Sequence, residues 1–334
     1  MNRNGLRIGI VGAGNMGRAH GRAVAACGGQ VAAVHSTRLE AAQQLATERG
    51  AETATDELDA LFEHDIDGVV IAAPPPVRLQ PVRMACERGI HLLIEKPPAL
   101  NMDEGRACLE QIERAGVIAA VGFQLRYAPL YERLKDLLAS ETVHLIQTVC
   151  TVDYYLSFKM PPWFLQQQIS GGPVAEQAIH LLDCGRFVLG NPEPVQAHAL
   201  AVKNMALDRP EFDAENAVQM TYALDNGVLG THANHCGTEG FSFDLEVIGP
   251  HLRLRANATR NRISGYLNGQ ELDEPAPEEN SLGMDKTGAW LRAVETGERS
   301  LVRSPYADAI HTLALVEAAV RSRGTGRFVG VEEL

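Results

Sequence analysis

Short apolar runs alternate with amphipathic stretches through the first third of the chain. Residues 6–11, 31–34, 67–72, 91–94 and 117–121 are hydrophobic runs without alternation, which is the pattern of strands buried on both faces. Between them, the stretches from Gly17 to about Cys27, 38–49, 77–88 and 102–114 read as helices. Strands alternating with helices predict a parallel sheet covered on both sides.

The pattern changes after about residue 124. In 243–247, Phe243, Leu245 and Val247 point one way and Asp244 and Glu246 the other. In 252–255, Leu252 and Leu254 oppose Arg253 and Arg255. The runs 216–224 and 228–234 flank Asn226-Gly227, a hairpin signal. These strands predict an open, mainly antiparallel sheet with two unlike faces. The acidic, proline-bearing stretch 271–280 reads as a surface loop. A last helix is expected from Ser304-Pro305, with the serine as N-cap, to near Gly324. The expected division is an α/β domain over 1–123 and an α+β domain over 124–334, with the helix 305–323 at their junction.

A length of 334 residues fits two domains of roughly 100–200 residues each. The net charge of −12 comes with no basic stripe, which argues against a nucleic-acid partner. The six cysteines are scattered with no CxxC pair, so no metal site or disulfide framework is expected and the thiols read as reduced. No apolar run reaches the roughly 18 residues of a membrane span, and the N-terminus lacks the long apolar stretch of a signal peptide. The expected compartment is the cytoplasm.

Gly12-Ala13-Gly14-Asn15-Met16-Gly17 matches GxGxxG between a buried strand and a helix. Gly12 permits the tight turn, Gly14 lets the backbone approach a pyrophosphate, and Gly17 lets helix and strand pack closely. The N–H groups of Asn15, Met16 and Gly17 open the helix, where phosphate is favoured. The end of the second strand, where a carboxylate would select NAD, reads His35-Ser36-Thr37-Arg38 instead. Ser36, Thr37 and Arg38 suit a 2′-phosphate, which favours NADP over NAD. The alternative is that Arg38 is a solvated residue opening the next helix. Glu95-Lys96-Pro97-Pro98 follows the 91–94 strand directly, where ligands of open parallel sheets bind. Lys96 there can hold a substrate hydroxyl and stabilise a developing alkoxide, or pair with Glu95 at the surface.

In order along the chain, the motifs are GAGNMG, IAAPPP, HLLIEKPPAL, VGFQLRYAP at 121–129, SGGPVAEQAIHLLD at 170–183 and YADAIHTLALVEAA at 306–319. With these motifs the chain resembles the glucose–fructose oxidoreductase / inositol dehydrogenase / rhizopine catabolism (Gfo/Idh/MocA) family over nearly its whole length. The resemblance implies a Rossmann domain for NAD(P) followed by a substrate-binding and oligomerisation domain. It also implies hydride transfer to or from a sugar, polyol or sugar derivative, and a homodimer or homotetramer formed through the second sheet. Along the cofactor it implies Ala73, Pro74, Pro75, Glu95, Lys96 and Gln124.

Glu176 and His180 are four apart on a predicted helix and share a face. A histidine held by a carboxylate is a suitable proton acceptor near neutral pH. The family has an aspartate and a histidine at this spacing in its active site, so the resemblance assigns catalysis to Lys96, His180 and Glu176. Three departures stand out: Glu176 for the commoner aspartate, Ala178 for glycine, and Arg78 for a frequent histidine. Arg126, Tyr155 and Trp163 are further substrate candidates, together with Tyr154 and Lys159 of the same loop. Two other readings stay open: a redox-assisted lyase or glycosidase with tightly bound NAD, and a nucleotide-binding regulator without turnover.

Overall fold

In the computed structural model, residues 5–156, 160–205, 209–278 and 282–333 are described. They form two compact units, Met1–Ala99 with Asp103–Gln124 and Asn280–Ala309, and Leu100–Met102 with Leu125–Glu279 and Ile310–Leu334.

The apolar runs of the first unit become β1 (Arg7–Val11), β2 (Gln30–His35), β4 (Gly68–Ile71), β5 (His91–Ile94) and β6 (Ala119–Val121). Between them lie α1 (Asn15–Ala26), α2 (Leu39–Arg49), α4 (Leu79–Glu87) and α5 (Met102–Ala115). A further strand, β3 (Thr53–Thr55), and a short helix, α3 (Leu58–Phe62), carry no apolar run and have no counterpart among the sequence expectations. All pairings are parallel, in the order β3-β2-β1-β4-β5-β6. This is the order of dinucleotide-binding folds, and it reverses beside β1, where ligands bind beyond the strand ends.

The division at 123/124 omits a returning segment. α9 (Leu282–Thr296) belongs to the first unit, and its Trp290 and Leu291 join Ile8, Val31, Val70 and Leu93 in one buried cluster. The Trp290 ring lies so close to Gly68 that a Cβ there would meet it at 2.8 Å.

The second unit contains α6 (Pro129–Leu138), β7 (Leu145–Thr151), α7 (Gln167–Ser170), α8 (Ile179–Val188) and β8 (Pro194–Val202). After these come β9 (Ala217–Leu224), β10 (Leu229–His235), β11 (Ser242–Gly249), β12 (Leu252–Asn257), β13 (Arg262–Leu267) and β14 (Gln270–Pro275). α10 (Tyr306–Thr325), β15 (Val329–Gly330) and a 3₁₀ turn over Val331–Glu333 follow. The sheet runs β14-β13-β12-β11-β7-β10-β9-β8-β15 and is antiparallel except for the parallel pair β7–β10. α8 packs on β7 and β11, and the Ala199 N–H of β8 donates to Ser322 Oγ of α10 at 2.8 Å. The opposite face exposes Leu145, Val149, Leu200, Val202, Leu229 and Tyr266. Among the described residues no helix is long and apolar enough to cross a membrane.

Two local expectations are corrected and one hairpin is found where expected. Residues 270–275 are an edge strand, not a loop, because Asn268 (φ 52°) and Gly269 (φ 76°) turn the chain back onto β13. The hairpin expected at Asn226-Gly227 joins β9 to β10, with Gly227 at positive φ (83°) and the Leu224 N–H donating to the Val228 carbonyl at 3.0 Å. Ser304 does not cap α10: its hydroxyl donates to the Val121 carbonyl at 2.7 Å, and the Pro305 carbonyl accepts from Asp308 and Ala309.

Candidate active site

In the first unit, the glycine-rich turn joins β1 to α1. The Gly12 N–H donates to the His35 carbonyl at 2.9 Å, tying the turn to the end of β2. Gly12 has φ 103°, and a Cβ there would meet the Ala72 and Ala73 backbone within 2.9 Å. A Cβ on Gly17 would lie 1.8 Å from the Gly12 carbonyl oxygen, so the close packing of helix on turn requires glycine. Gly14 differs, since a Cβ there would meet nothing within 4 Å. It caps α1 without a side-chain hydrogen bond, and the first turn carries no acidic residue. The N-terminal N–H groups of Asn15, Met16 and Gly17 therefore face an open, electropositive cradle of the kind a dinucleotide pyrophosphate fills.

At the end of β2, Ser36 is half-buried and its Oγ accepts from the Arg38 N–H at 3.4 Å. Thr37 and Arg38 are exposed, and Arg38 is also the N-cap of α2. The residues that follow His35, Ser36–Arg38, include no carboxylate, and Asp56 after the neighbouring β3 acts on His35 itself.

The Lys96 turn leaves β5 through a cis Lys96–Pro97 peptide. Glu95 is buried, and its carboxylate accepts from His20 Nε2 of α1 at 2.7 Å and from Lys286 Nζ of α9 at 3.1 Å. Burial alone would raise its pKa, but the Lys286 ammonium, the His20 hydrogen bond and the Lys96 charge hold it well below the usual carboxylate range. Burial and the neighbouring Lys286 lower the His20 pKa against the pull of Glu95, so the ring stays neutral and donates through Nε2. Glu95 is thus an internal anchor: its carboxylate accepts from His20 and Lys286 and lies against Gly122. Lys96 itself is half-buried, and its backbone N–H donates to Glu95 Oε2 at 3.2 Å. Arg78, also buried, reaches the carbonyls of Ala73 (2.8 Å), Lys96 (3.4 Å), Glu95 and Pro97. Pro74 is half-buried and Pro75 buried where the 3₁₀ turn Pro75–Val77 opens, and Gln124 is half-buried at the start of the turn Gln124–Tyr127.

In the second unit, Gly171 and Gly172 adopt positive φ (77° and 72°). Val174–Ala178 then forms a π-helical turn that continues as α8. Glu176 lies buried in the π turn, and its charge helps to raise the Tyr154 and Tyr155 hydroxyl pKa values after the larger effect of burial. His180 is half-buried in the first turn of α8, with its ring edge-on to Phe243 (6.1 Å, 62°). The two residues lie on consecutive helical segments, with a π turn where a regular α-helix was expected. Such turns recur at functional sites. Asn234, with no role in the sequence reading, donates from Nδ2 to the Pro173 carbonyl at 3.3 Å, so β10 braces the start of this element.

Two substrate candidates are buried. Arg126 is fully buried and bidentate on Asp183 of α8 (Nε–Oδ2 2.7 Å, Nη2–Oδ1 2.6 Å), so these two nitrogens are engaged within the unit. Tyr155 is 2% exposed and packs edge-on to Phe212 (5.0 Å) and Phe164 (6.2 Å), as core. Trp163 is half-buried, edge-on to Phe164 at 5.8 Å. Lys159 lies outside the described residues. A hollow of about 320 Å³ opens on the far face of the second sheet, lined by Val149, Leu200, Val202, Gln219 and His235, and includes none of the predicted site residues.

His20 and Lys286 were missed by sequence reasoning, since their common partner Glu95 lies 75 and 191 residues away. A lysine at a helical position facing a buried apolar stripe (Lys286 among Ala289, Trp290 and Ala293) was the available signal.

Comparison with known proteins gives a consistent picture. The GFO_IDH_MocA family, described as an oxidoreductase family with an NAD-binding Rossmann fold, matches residues 6–123, and a GFO/IDH/MocA C-terminal domain matches 131–255. The chain is 27% identical to D-xylose 1-dehydrogenase (NADP(+)) 2 of Haloferax volcanii, over 98% of this chain and 100% of that one. It is 26% identical to inositol 2-dehydrogenase of Rhizobium meliloti, over 98% and 99%. Its fold matches levoglucosan dehydrogenase in complex with NADH and levoglucosan at a TM-score of 0.86, with 19% identity over 98% of this chain and 99% of that one.

Proposed function

The chain belongs to the GFO/IDH/MocA oxidoreductase family, and on that premise we propose that it is an NAD(P)-dependent dehydrogenase of a sugar, polyol or sugar derivative. The observation that carries this reading is the open Gly14 cradle in the same parallel sheet as a lysine clamped at the end of β5. A bound nicotinamide cofactor supplies the hydride acceptor or donor at a carbon bearing a hydroxyl or carbonyl. The residues of the chain supply the rest. His180 takes the hydroxyl proton in the oxidative direction and returns it in the reductive one. Lys96 presents positive charge to the oxygen on which negative charge develops. Glu176 sets the orientation of His180 from within the π turn. Trp163 offers an aromatic face to a sugar ring.

NADP is the proposed cofactor. Ser36, Thr37 and the exposed Arg38 supply donors and charge for a 2′-phosphate where a carboxylate would repel it. The NADP(+) in the name of the Haloferax relative agrees, whereas the NADH of the levoglucosan dehydrogenase complex points the other way. A fluorescence titration of the purified protein with NADPH and NADH tests this directly. Tighter NADPH binding, followed by reduction of NADP on a panel of aldoses, inositols and sugar acids, supports the reading. NADH preference removes the role of Arg38. Binding of neither, in protein that carries no copurified cofactor, sinks the dehydrogenase reading.

The protein is further proposed to be a homo-oligomer through the exposed face of the second sheet. Leu145 pairs in register with Leu229 there, beside Val149, Leu200 and Val202, and a symmetric copy would cover this apolar surface. Light scattering at micromolar concentration would return the protomer mass if this is wrong.

A further inference from the structure

We propose that Arg78 is a positioning residue for Lys96, fixing the backbone from which the lysine side chain departs; this rests on the reading of Lys96 as the group that meets the reacting oxygen. The carbonyls of Glu95, Lys96 and Pro97 are successive along the chain, and all three accept from one guanidinium. Neither a helix nor a strand satisfies three consecutive carbonyls from one side, and at this buried turn each needs a donor. The planar arginine fork has five N–H donors in fixed directions and can meet them together. Nη1 serves Glu95 and Pro97, Nη2 serves Lys96 at 3.4 Å, and Nε serves Ala73 beyond β4 at 2.8 Å. Arg78 therefore joins the exits of two adjacent strands, β4 and β5, at the carboxyl edge of the sheet.

The arginine is itself fixed. Its backbone N–H donates to the Pro75 carbonyl at 3.3 Å, and its own carbonyl accepts from Val82 at 3.1 Å as α4 begins. The guanidinium is buried, so it acts through the turn and not on a ligand. On the other side of the same residue, the Lys96 N–H is held by Glu95 Oε2 at 3.2 Å. Both polar backbone groups of Lys96 are thus tied, one to a buried cation and one to a buried anion.

The test compares Arg78→Met and Arg78→Lys with Lys96→Met in the full-length protein. With the substrate found on the sugar panel, Arg78→Met is expected to lower kcat by about 100-fold, the scale of an ångström-sized misplacement. The Kd for the nicotinamide cofactor and the KM are expected to stay within about threefold, because the glycine cradle is untouched. Arg78→Lys keeps the charge but not the fork, and is expected to recover only part of kcat. In parallel, pulse acetylation with acetic anhydride, read by mass spectrometry, measures the reactivity of Lys96 without any turnover. That rate is expected to change several-fold in Arg78→Met while other lysines keep theirs. Unchanged kcat and unchanged Lys96 labelling would overturn the proposal. Parallel losses of kcat, cofactor binding and Tm would also overturn it, by showing a structural role alone. If Lys96→Met keeps full turnover, the catalytic reading of Lys96 fails. The labelling rate then still decides whether Arg78 positions the side chain.

Discussion

Arg126 and Asp183 form a fully buried, bidentate ion pair, with Thr312 Oγ1 donating to Asp183 Oδ1 at 3.1 Å. Asp183 lies three residues after His180 on α8, so the pair sets the rotation of the helix that carries the histidine. Arg186, on the same helix, donates from Nη1 to Thr312 Oγ1 at 2.9 Å and completes the lock. Asp183→Leu leaves a buried cation uncompensated and is expected to cost about 3–5 kcal/mol in urea unfolding. The double variant Arg126→Met/Asp183→Leu should recover much of that loss, because no charge is then left stranded. Equal losses in the single and double variants would mean that the pair contributes packing and not electrostatic pairing.

Glu95→Gln addresses the anchor beneath the Lys96 turn. The change strands Lys286 in the interior, again at a cost of about 3–5 kcal/mol. The pH dependence has a defined sign. The folded pKa of Glu95 is depressed, so its stabilisation is present above the ordinary carboxylate range and is lost as pH falls through the low folded value. The variant should lose that part of its acid sensitivity. A wild-type-like urea midpoint would refute the anchoring role.

His232 is fully buried, with Nδ1 at 2.8 Å from Thr148 Oγ1, and burial pushes its pKa down to about 3. Below pH 6.5 the unfolded chain binds a proton here that the folded one refuses, so stability falls from 6.5 toward 3. Two pH units into that window the loss is roughly 3 kcal/mol from this residue. His232→Asn should therefore show a shallower drop in urea midpoint between pH 7 and pH 4.5 than the wild type. Identical drops would place the acid sensitivity elsewhere.

Two glycine substitutions separate cofactor binding from folding. Gly14→Ala meets open space within the protein and should leave Tm almost unchanged while weakening NADPH binding at least about tenfold, or ~1.4 kcal/mol. Gly17→Ala drives a methyl into the Gly12 carbonyl and should lower Tm and cofactor affinity together. Undiminished binding by Gly14→Ala would mean that the pyrophosphate does not approach this glycine.

The parallel sheet, the glycine turn and the position of Lys96 at a strand end were legible because each is written in consecutive residues. Glu176 and His180 were legible through their spacing, but nothing in that spacing announces the π turn. The buried pairings of Arg126 and Glu95 were not legible because their partners lie far along the chain, at Asp183, His20 and Lys286. The edge strand β14 was hidden by its acidic, proline-bearing composition, although Asn268-Gly269 carried a hairpin signal of its own. The parallel β7–β10 pair is a matter of topology, and alternation along single strands cannot reveal it.

The return of α9 has a consequence for how the protein is made. Trp290, Leu291, Ala293 and Val302 are part of the buried cluster that begins with Ile8 and Ile10. About nine-tenths of the 334 residues must therefore leave the ribosome before the nucleotide-binding unit can complete its interior. Until then, the nascent strands that meet Trp290 present an unsealed apolar surface to the cell. A fragment cut near residue 124 would remain permanently in that condition.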